Sequence, residues 1–275
     1  MSAHLIYFQA AKIKKINKQK IMKSKYFTVE VKPVMATVNA GLNAAFADGD
    51  VLFDWTSFEI PRGSAKLIGV TFEARPKGDS GATPNIFALE LLFAKDKRVN
   101  GTLTAPGTLG PLNAAPANSG VIADQCDTFI GHAPIVAGDF GVTDPPAVAF
   151  ADVPNGMVFA GDPSSGSNVG VDKYYVGGIA GGAFDFRSLT KINNGDLDGP
   201  TLTVDGTDPR LIFAAGDTIA VTTVADATVQ KAVGTIDSIT DANTIVLTST
   251  SSNEVANNDA VYNVSPIRLF LTFEK

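Results

Sequence analysis

The chain has 275 residues, of which 45% are hydrophobic and only 18% are charged, and its formal net charge is −6. This composition supplies enough apolar material for a packed core and excludes a chain that is disordered throughout. The charge is unevenly placed, because residues 1–25 hold seven lysines and no acid and the remainder therefore carries −13. Phosphate backbones are bound mainly by basic groups, so this acidic body argues against a nucleic-acid partner.

Cysteine content and hydropathy exclude further classes. The single cysteine, Cys126, rules out an internal disulfide and a multi-cysteine zinc site. No apolar run approaches the roughly 20 residues that span a bilayer, and the start lacks the apolar centre of a signal peptide. We expect a protein that is soluble where it is made and has no membrane partner.

The first 25 residues read as a basic amphipathic segment. Five apolar residues lie near helical spacing among the lysines, namely Leu5, Phe8, Ile13, Ile16 and Ile21. One interpretation is an arm that docks on the acidic body of a neighbouring subunit. Its candidate interface residues are Lys12, Lys14, Lys15, Lys18 and Lys20. The other interpretation is a loose chain end, with Met22 as an alternative start.

From Tyr26 onward the hydrophobic period changes to two, which is typical of strands with one buried face. The pattern predicts strands over residues 26–31, 51–60, 65–74, 86–94, 147–150, 157–159 and 174–179. Pro- and Gly-containing turns separate them and interrupt any longer element. We predict an all-β fold, a jelly-roll-like antiparallel β-sandwich. The run GGIAGG at 177–182 favours a close approach of another chain segment to the backbone.

A long segment rich in Pro, Gly, Ala and Asn covers residues 102–120. Structureless stretches of this length are uncommon in compact domains unless they make a contact. We therefore predict an interface loop, with Thr102, Leu103, Leu109 and Leu112 as its candidate contact residues. A simple surface excursion is the alternative.

Turn-forming residues at 193–208 mark a domain boundary. Five or six short predicted strands follow, and the strongly apolar run 267–273 then resembles the strands of the larger body. We predict a small β-barrel inserted before the last strand. The predicted domains are an arm at 1–25, a sandwich at 26–195 plus 266–275, and a barrel at 196–265.

Two runs in the barrel region carry a family resemblance. The run GDTIAV at 216–221 and the run VGTIDSITDANTI at 233–245 resemble small SH3-like barrel modules of tailed-bacteriophage structural proteins. The resemblance covers about the last quarter of the chain and implies an add-on module of a virion protein. It transfers no functional residue.

Catalytic patterns are sparse in this sequence. Cys126 and His132 form the one thiol–imidazole pairing worth testing, and the aspartates beside Cys126 disfavour its thiolate. No pair of acids stands out for glycoside hydrolysis. Trp55, Tyr174 and Tyr175 are candidates for a sugar-stacking surface, or alternatively for ordinary core and sheet positions. We predict no enzyme and no cofactor.

The boundary region also contains an oxygen-rich cluster. Asn194, Asp196 and Asp198, followed by Asp205 and Asp208, begin like a calcium loop, but the terminal bidentate Glu is missing. These residues are weak metal candidates, and a turn-rich linker is the alternative.

The leading hypothesis is a structural protein of a virus particle, either a capsid decoration or cement protein or another head-associated component. Its expected partners are capsid or other virion proteins and further copies of itself, with a trimer favoured, and its expected location is the capsid surface. A carbohydrate-binding or adhesive module of a receptor-binding fibre, or a tail or baseplate component, is the alternative. A hydrolase is a third hypothesis.

Overall fold

The computed structural model describes residues 25–35, 42, 44–99, 102–116, 127–141, 146–160, 171–193, 199–223, 230–251 and 253–275. The described residues form seventeen strands, one short helix and one 3-10 turn. The lysines of the predicted arm that lie before Lys25 fall outside these ranges.

Eight long strands build the larger body. They are β1 (Tyr26–Val31), β2 (Val51–Pro61), β3 (Ala65–Ala74), β4 (Ala88–Lys95), β7 (Phe129–Ile135), β9 (Ala147–Phe159), β10 (Val171–Gly181) and β17 (Ile267–Glu274). Shorter elements between them are β5 (Lys97–Val99), β6 (Thr102–Thr104), the 3-10 turn Ala137–Asp139 and β8 (Phe140–Gly141).

The long strands form two antiparallel sheets. One has the order β1-β17-β3-β9-β8 and the other the order β2-β10-β4-β7. When the eight long strands are lettered B to I in chain order, the sheets read B-I-D-G and C-H-E-F, which is the eight-stranded jelly roll. We call them the BIDG sheet and the CHEF sheet. The predicted fold class is confirmed.

Alternating side chains hold the two sheets together. Along β17, Ile267, Leu269, Leu271 and Phe273 are fully buried, while the residues between them are partly exposed. Aromatic rings fill the space between the sheets at one end, where the ring of Phe159 lies 5.0–6.0 Å from its aromatic neighbours. Those neighbours are Phe58, Phe93, Tyr174 and Phe273.

One predicted boundary is wrong. The separate strands expected at 147–150 and 157–159 are a single strand, β9. Asn155 and Gly156 adopt positive φ values of 63° and 65°, and the pairing with β3 shifts register between Leu67 and Gly69. The turn-forming residues thus make a bulge within the strand and do not end it.

The second unit is a closed β-barrel placed between β10 and β17. Its order is β11-β12-β15-β14-β13-β16. The strands are β11 (Lys191–Ile192), β12 (Thr201–Asp205), β13 (Thr218–Thr222), β14 (Gln230–Asp241), β15 (Thr244–Leu247) and β16 (Ala260–Asn263), and helix α1 (Pro209–Ile212) follows β12. In the described ranges, no helix has the length and hydropathy needed to span a membrane.

The barrel and the sandwich share residues across their junction. Ala82, from the connection between β3 and β4, packs in the barrel core, while Tyr262 of β16 packs in the sandwich core. Arg75 donates from one Nη2 to both carboxylate oxygens of Asp217 at 2.7 and 2.8 Å. The inserted unit is therefore packed against the body, in addition to being joined to it by the chain.

Candidate assembly interface

One face of the sandwich exposes unusually large apolar side chains. Among the described residues, eight large hydrophobic side chains are exposed, and four of them project from the BIDG sheet on the side away from the core. These four are Tyr26, Val148, Phe150 and Val158. We call this side of the sheet the outer face. Scattered exposed apolar residues are ordinary, but a concentration on one sheet face is typical of a surface that contacts another molecule.

Strand register explains how the centre of the outer face is built. Phe150 pairs with Thr71, and Thr71 pairs on its other side with Phe270 of β17. The Phe150 ring lies over Gly69, where a Cβ would stand 3.4 Å from the ring. Because glycine leaves the backbone bare, the ring rests against the sheet and still remains 57% exposed.

Charged residues of both signs surround this centre. Glu30 lies 3.2 Å from the Lys32 ammonium and 3.9 Å from Arg268 Nε, and Glu274 pairs with Lys25. A hydrogen bond from Lys25, together with the positive charge of Lys25, holds the pKa of Glu274 below its ordinary value, against the opposing effect of burial. An apolar centre with a polar, charged rim is the usual anatomy of a protein–protein contact.

The predicted interface loop is anchored on the opposite sheet. Leu109 is buried, and its Cδ1 would lie 2.5 Å from a Cβ placed on Gly177. Asp54 accepts hydrogen bonds from the Thr108 hydroxyl at 2.6 Å and from the Leu109 amide at 2.8 Å. The Leu109 side chain is thus occupied within its own chain, because it covers the CHEF sheet beside Trp55.

The other predicted loop residues have different environments. Leu112 is half-buried against the sandwich core. Leu103 is half-buried and lines a cavity of about 30 Å³ together with Asp172 and Tyr174. Thr102 belongs to β6 and pairs with Val99. Contact of these three residues with a partner stays a prediction.

Several predicted chemical residues fall outside the described ranges. They are the metal candidates Asn194, Asp196 and Asp198, the thiol Cys126, and the arm lysines Lys12, Lys14, Lys15, Lys18 and Lys20. The described part of the chain contains no group of three or more His, Cys, Asp or Glu side chains placed to hold a metal ion.

Two further predicted residues have local partners. His132 is exposed on β7, where its Nδ1 pairs with Glu90. Asp208 caps helix α1 by accepting from the Arg210 amide at 2.9 Å. Hydrogen bonds from the Arg210 side chain keep the pKa of Asp208 below its ordinary value.

The aromatic residues considered for sugar stacking are enclosed. Tyr174 and Tyr175 are 3% and 6% exposed, and their hydroxyls donate to Ala160 O at 2.8 Å and to Asp96 at 2.7 Å. Burial, reinforced by the bond to Asp96, raises the pKa of Tyr175. Trp55 is half-buried beside Phe129, with ring centroids 5.6 Å apart. These three rings therefore do not form an open stacking surface.

Sequence reasoning missed the outer face, although a signal for it was present. β9 begins Ala-Val-Ala-Phe-Ala, so small residues occupy the buried positions and large apolar residues occupy the outward ones. A strand with a solvated outer face would carry polar residues at those outward positions. Val148 and Phe150 break that alternation.

Comparisons with known proteins give weak results. No family model matches the chain, and no curated protein matches it. Among solved structures, the VP2 subviral particle of infectious bursal disease virus is similar at 8% identity and a TM-score of 0.19, over 91% of this chain and 41% of that chain. This chain thus spans about two fifths of that protein.

Two further structures match at a similar level. The unassembled VP1 pentamer of KI polyomavirus shows 12% identity and a TM-score of 0.19, over 92% of this chain and 95% of the other. Recombinant PNGase F shows 10% identity and a TM-score of 0.13, over 90% and 96% of the two chains. Scores this low carry no argument about function. The chain is an all-β protein with antiparallel jelly-roll sheets, and that description comes from its own strand order.

Proposed function

We propose that the protein is a structural component of a virus particle and works through contacts between protein subunits. The finer assignment is a capsid decoration, cement or other head-associated protein of the tailed-bacteriophage type. Its partners are further copies of itself, favoured as a closed trimer, and neighbouring capsid proteins. Its place is the surface of the capsid.

The observation that carries the proposal is the outer face of the BIDG sheet. Phe150 is 57% exposed and Val148 is 38% exposed on a sheet whose other side is a closed aromatic core. Covering apolar surface releases about 25 cal/mol per Å², so a facing subunit would be stabilised most at this centre. The mixed charges around it would set orientation and partner choice.

The composition of the chain supports the same function. The net charge of −13 outside residues 1–25 keeps free bodies apart and gives the lysine-rich segment an oppositely charged target on a neighbour. In this proposal, the lysines of the arm contact that neighbour, and the exposed parts of the loop at residues 102–116 make a second contact from the opposite sheet. The jelly roll itself supplies a rigid support, and many unrelated proteins share it.

A matched pair of variants tests the interface. We expect Phe150→Asp to weaken self-association of the full chain at least tenfold in sedimentation analysis, because it places a charge in the apolar centre of the outer face. Val136 is 53% exposed but lies outside the BIDG sheet, so Val136→Asp serves as the control. Equal association of both variants and the unmodified chain would contradict the proposed interface.

The particle itself provides the second test. Quantitative mass spectrometry of purified virions should find many copies of the chain per particle. A protein recovered only as a monomer outside particles would overturn the proposed function.

A further inference from the structure

The outer face ends in an open groove. Its volume is about 310 Å³, and its lining is mostly apolar. The lining residues are Ser64, Ala65, Lys66, Val158, Glu274 and Lys275. Val158 is 60% exposed, and the Lys66 stem lies across Gly156, where a Cβ would stand 2.1 Å from Cε. The groove therefore offers carbon surface that nothing in the described part of the chain covers.

The chain enters the described structure at the rim of this groove. The Lys275 amide donates to the carbonyl oxygen of Lys25 at 2.8 Å, and the Lys25 ammonium pairs with Glu274. Register places Tyr26 beside Glu274, Glu274 beside Lys66, and Lys66 beside Val158. The described chain thus begins at Lys25 next to this apolar groove, with twenty-four residues preceding it in the sequence.

The apolar residues of that segment match the apolar lining of the groove. Residues 1–24 hold five apolar residues near helical spacing and six lysines, with no acid. Apolar side chains gain by burial in such a groove. Its lining holds Lys66 and Lys275 beside Glu274, so the match between segment and groove is apolar and not electrostatic. Fully extended, 24 residues reach about 80 Å, which is enough to cross to an adjacent subunit.

The direction of the chain favours an adjacent subunit over the same molecule. β1 enters the sheet at this end with Tyr26 as its first residue, so the strand axis, extended toward the start of the chain, points away from the sheet. A return to the same groove requires a tight reversal immediately before Lys25, where the sequence offers Ser24 but neither Gly nor Pro. Tight reversals are built mainly with those residues and a few polar ones. A neighbour's groove requires no such reversal.

We propose that this groove receives the N-terminal segment of a neighbouring copy of the chain. The segment's apolar residues cover Val158 and the Lys66 stem. Each copy then donates one segment and accepts one. Such head-to-tail contacts form a ring when repeating the rotation between neighbours leads back to the first copy. The inference rests on the proposed assembly function and names the receptor site for the arm.

Thiol crosslinking in the full chain tests the exchange. In a Cys126→Ser background, one population carries Val158→Cys and a second carries Ile13→Cys, and the two are mixed and treated with a bismaleimide. We expect a covalent dimer in the mixture and at least a tenfold lower yield when Val136→Cys replaces Val158→Cys. Leu5→Cys and Ile21→Cys extend the test along the segment.

Two results would overturn the inference. One is an absence of crosslinked dimer at all three segment positions. The other is a chain carrying both Val158→Cys and a segment cysteine that forms only an internal crosslink, whatever the protein concentration, because the segment would then occupy its own groove.

Substitution of the groove gives an independent measurement. Val158→Lys adds a positive charge opposite the lysine-rich segment, and we expect it to weaken association at least tenfold, whereas Val136→Lys should leave association unchanged. Thermal melting curves confirm that both variants fold. Association that persists with no effect of Val158→Lys would refute the groove and leave the assembly function standing. A chain that is monomeric without any substitution would refute the assembly function itself.

Discussion

At the scale of single residues, two adjacent glycines decide how β10 packs on both of its sides. Gly178 faces the sandwich core, where an added Cβ would lie 2.4 Å from the ring of Phe53. Gly177 faces the opposite side, where Leu109 and Trp55 lie against the backbone. The glycine run thus lets large side chains approach β10 from two directions.

Gly178→Ala should therefore destabilise the protein. Phe53 is fully buried, so its ring must shift within a close-packed core to admit the methyl group. We expect a loss of about 1–3 kcal/mol in the free energy of unfolding, measured by urea denaturation.

Gly138 provides the control for that substitution. Nothing lies within 4 Å of a Cβ built on Gly138. Gly138→Ala should change the free energy of unfolding by less than about 0.5 kcal/mol. Equal losses in the two variants would show that the alanine acts through the glycine backbone and not through Phe53.

The sequence predicts some residue environments well and others poorly, for a physical reason. The strict alternation of β17 identifies Leu269 and Leu271 as buried, because the period of a strand is a local property. Asp54 and Leu109 are 55 positions apart in the sequence, so their contact leaves no local pattern. The local sequence therefore could not indicate that Leu109 covers the CHEF sheet, whereas its predicted contact with a partner stays a prediction.

At the scale of elements, the segment 102–116 behaves as a clasp on the CHEF sheet. Its middle is bonded to Asp54, and its end pairs with the first residue of β2, where the Asn113 amide donates to Val51 O at 3.0 Å. The Val51 amide in turn donates to Ala114 O at 2.9 Å. A segment that composition describes as irregular is therefore fixed at two points.

Asp54→Ala should release the middle of this segment. The substitution removes the acceptor for the Thr108 hydroxyl and the Leu109 amide, and it uncovers Gly177. Hydrogen bonds to a charged group contribute about 1.5–3 kcal/mol each, but the Thr108 bond is exposed and the Leu109 bond only partly buried, so we expect a total loss of about 1–3 kcal/mol. Hydrogen–deuterium exchange should become much faster at the Leu109 amide.

Asp139→Ala is the matched control for the clasp. The Asp139 carboxylate accepts a hydrogen bond from the nearby Val136 amide at 2.9 Å. This bond is local and does not involve the segment 102–116. Exchange at Leu109 should remain slow in this variant. Slow exchange at Leu109 in Asp54→Ala would instead mean that apolar contacts alone hold the segment.

The sequence predicts element boundaries correctly where turn-forming residues end a strand. It fails where such residues only make a bulge within a strand. The run Pro-Asn-Gly at 154–156 resembles the turns that separate other strands, yet β9 continues through it to Phe159. The decisive factor is the partner strand, because β3 pairs with β9 on both sides of the bulge. Pairing with a distant strand lies outside the local sequence.

At the scale of the whole molecule, the barrel and the sandwich are joined by a buried ion pair as well as by apolar contacts. Asp217 is 8% exposed, and it also accepts from the Ala214 amide at 2.9 Å. Arg75 approaches it from the end of β3, and the Arg75 amide donates to Pro266 O at 2.8 Å, directly before β17. One arginine thus links the barrel to two strands of the BIDG sheet.

Arg75→Ala should consequently weaken the junction. Removing the guanidinium leaves a largely buried carboxylate without its positive partner, and loss of such a charged hydrogen bond costs about 1.5–3 kcal/mol. Calorimetry should show a lower melting temperature. The decrease should be smaller in the double variant Arg75→Ala with Asp217→Asn, in which the carboxylate is also neutralised.

Arg210→Ala is the control, because it removes an Arg–Asp contact of similar length, 2.6 Å, that lies at the surface. It should leave the melting temperature unchanged. If both arginine variants melted alike, burial of the junction would contribute nothing, and the barrel would be attached to the sandwich by the chain and its apolar contacts alone.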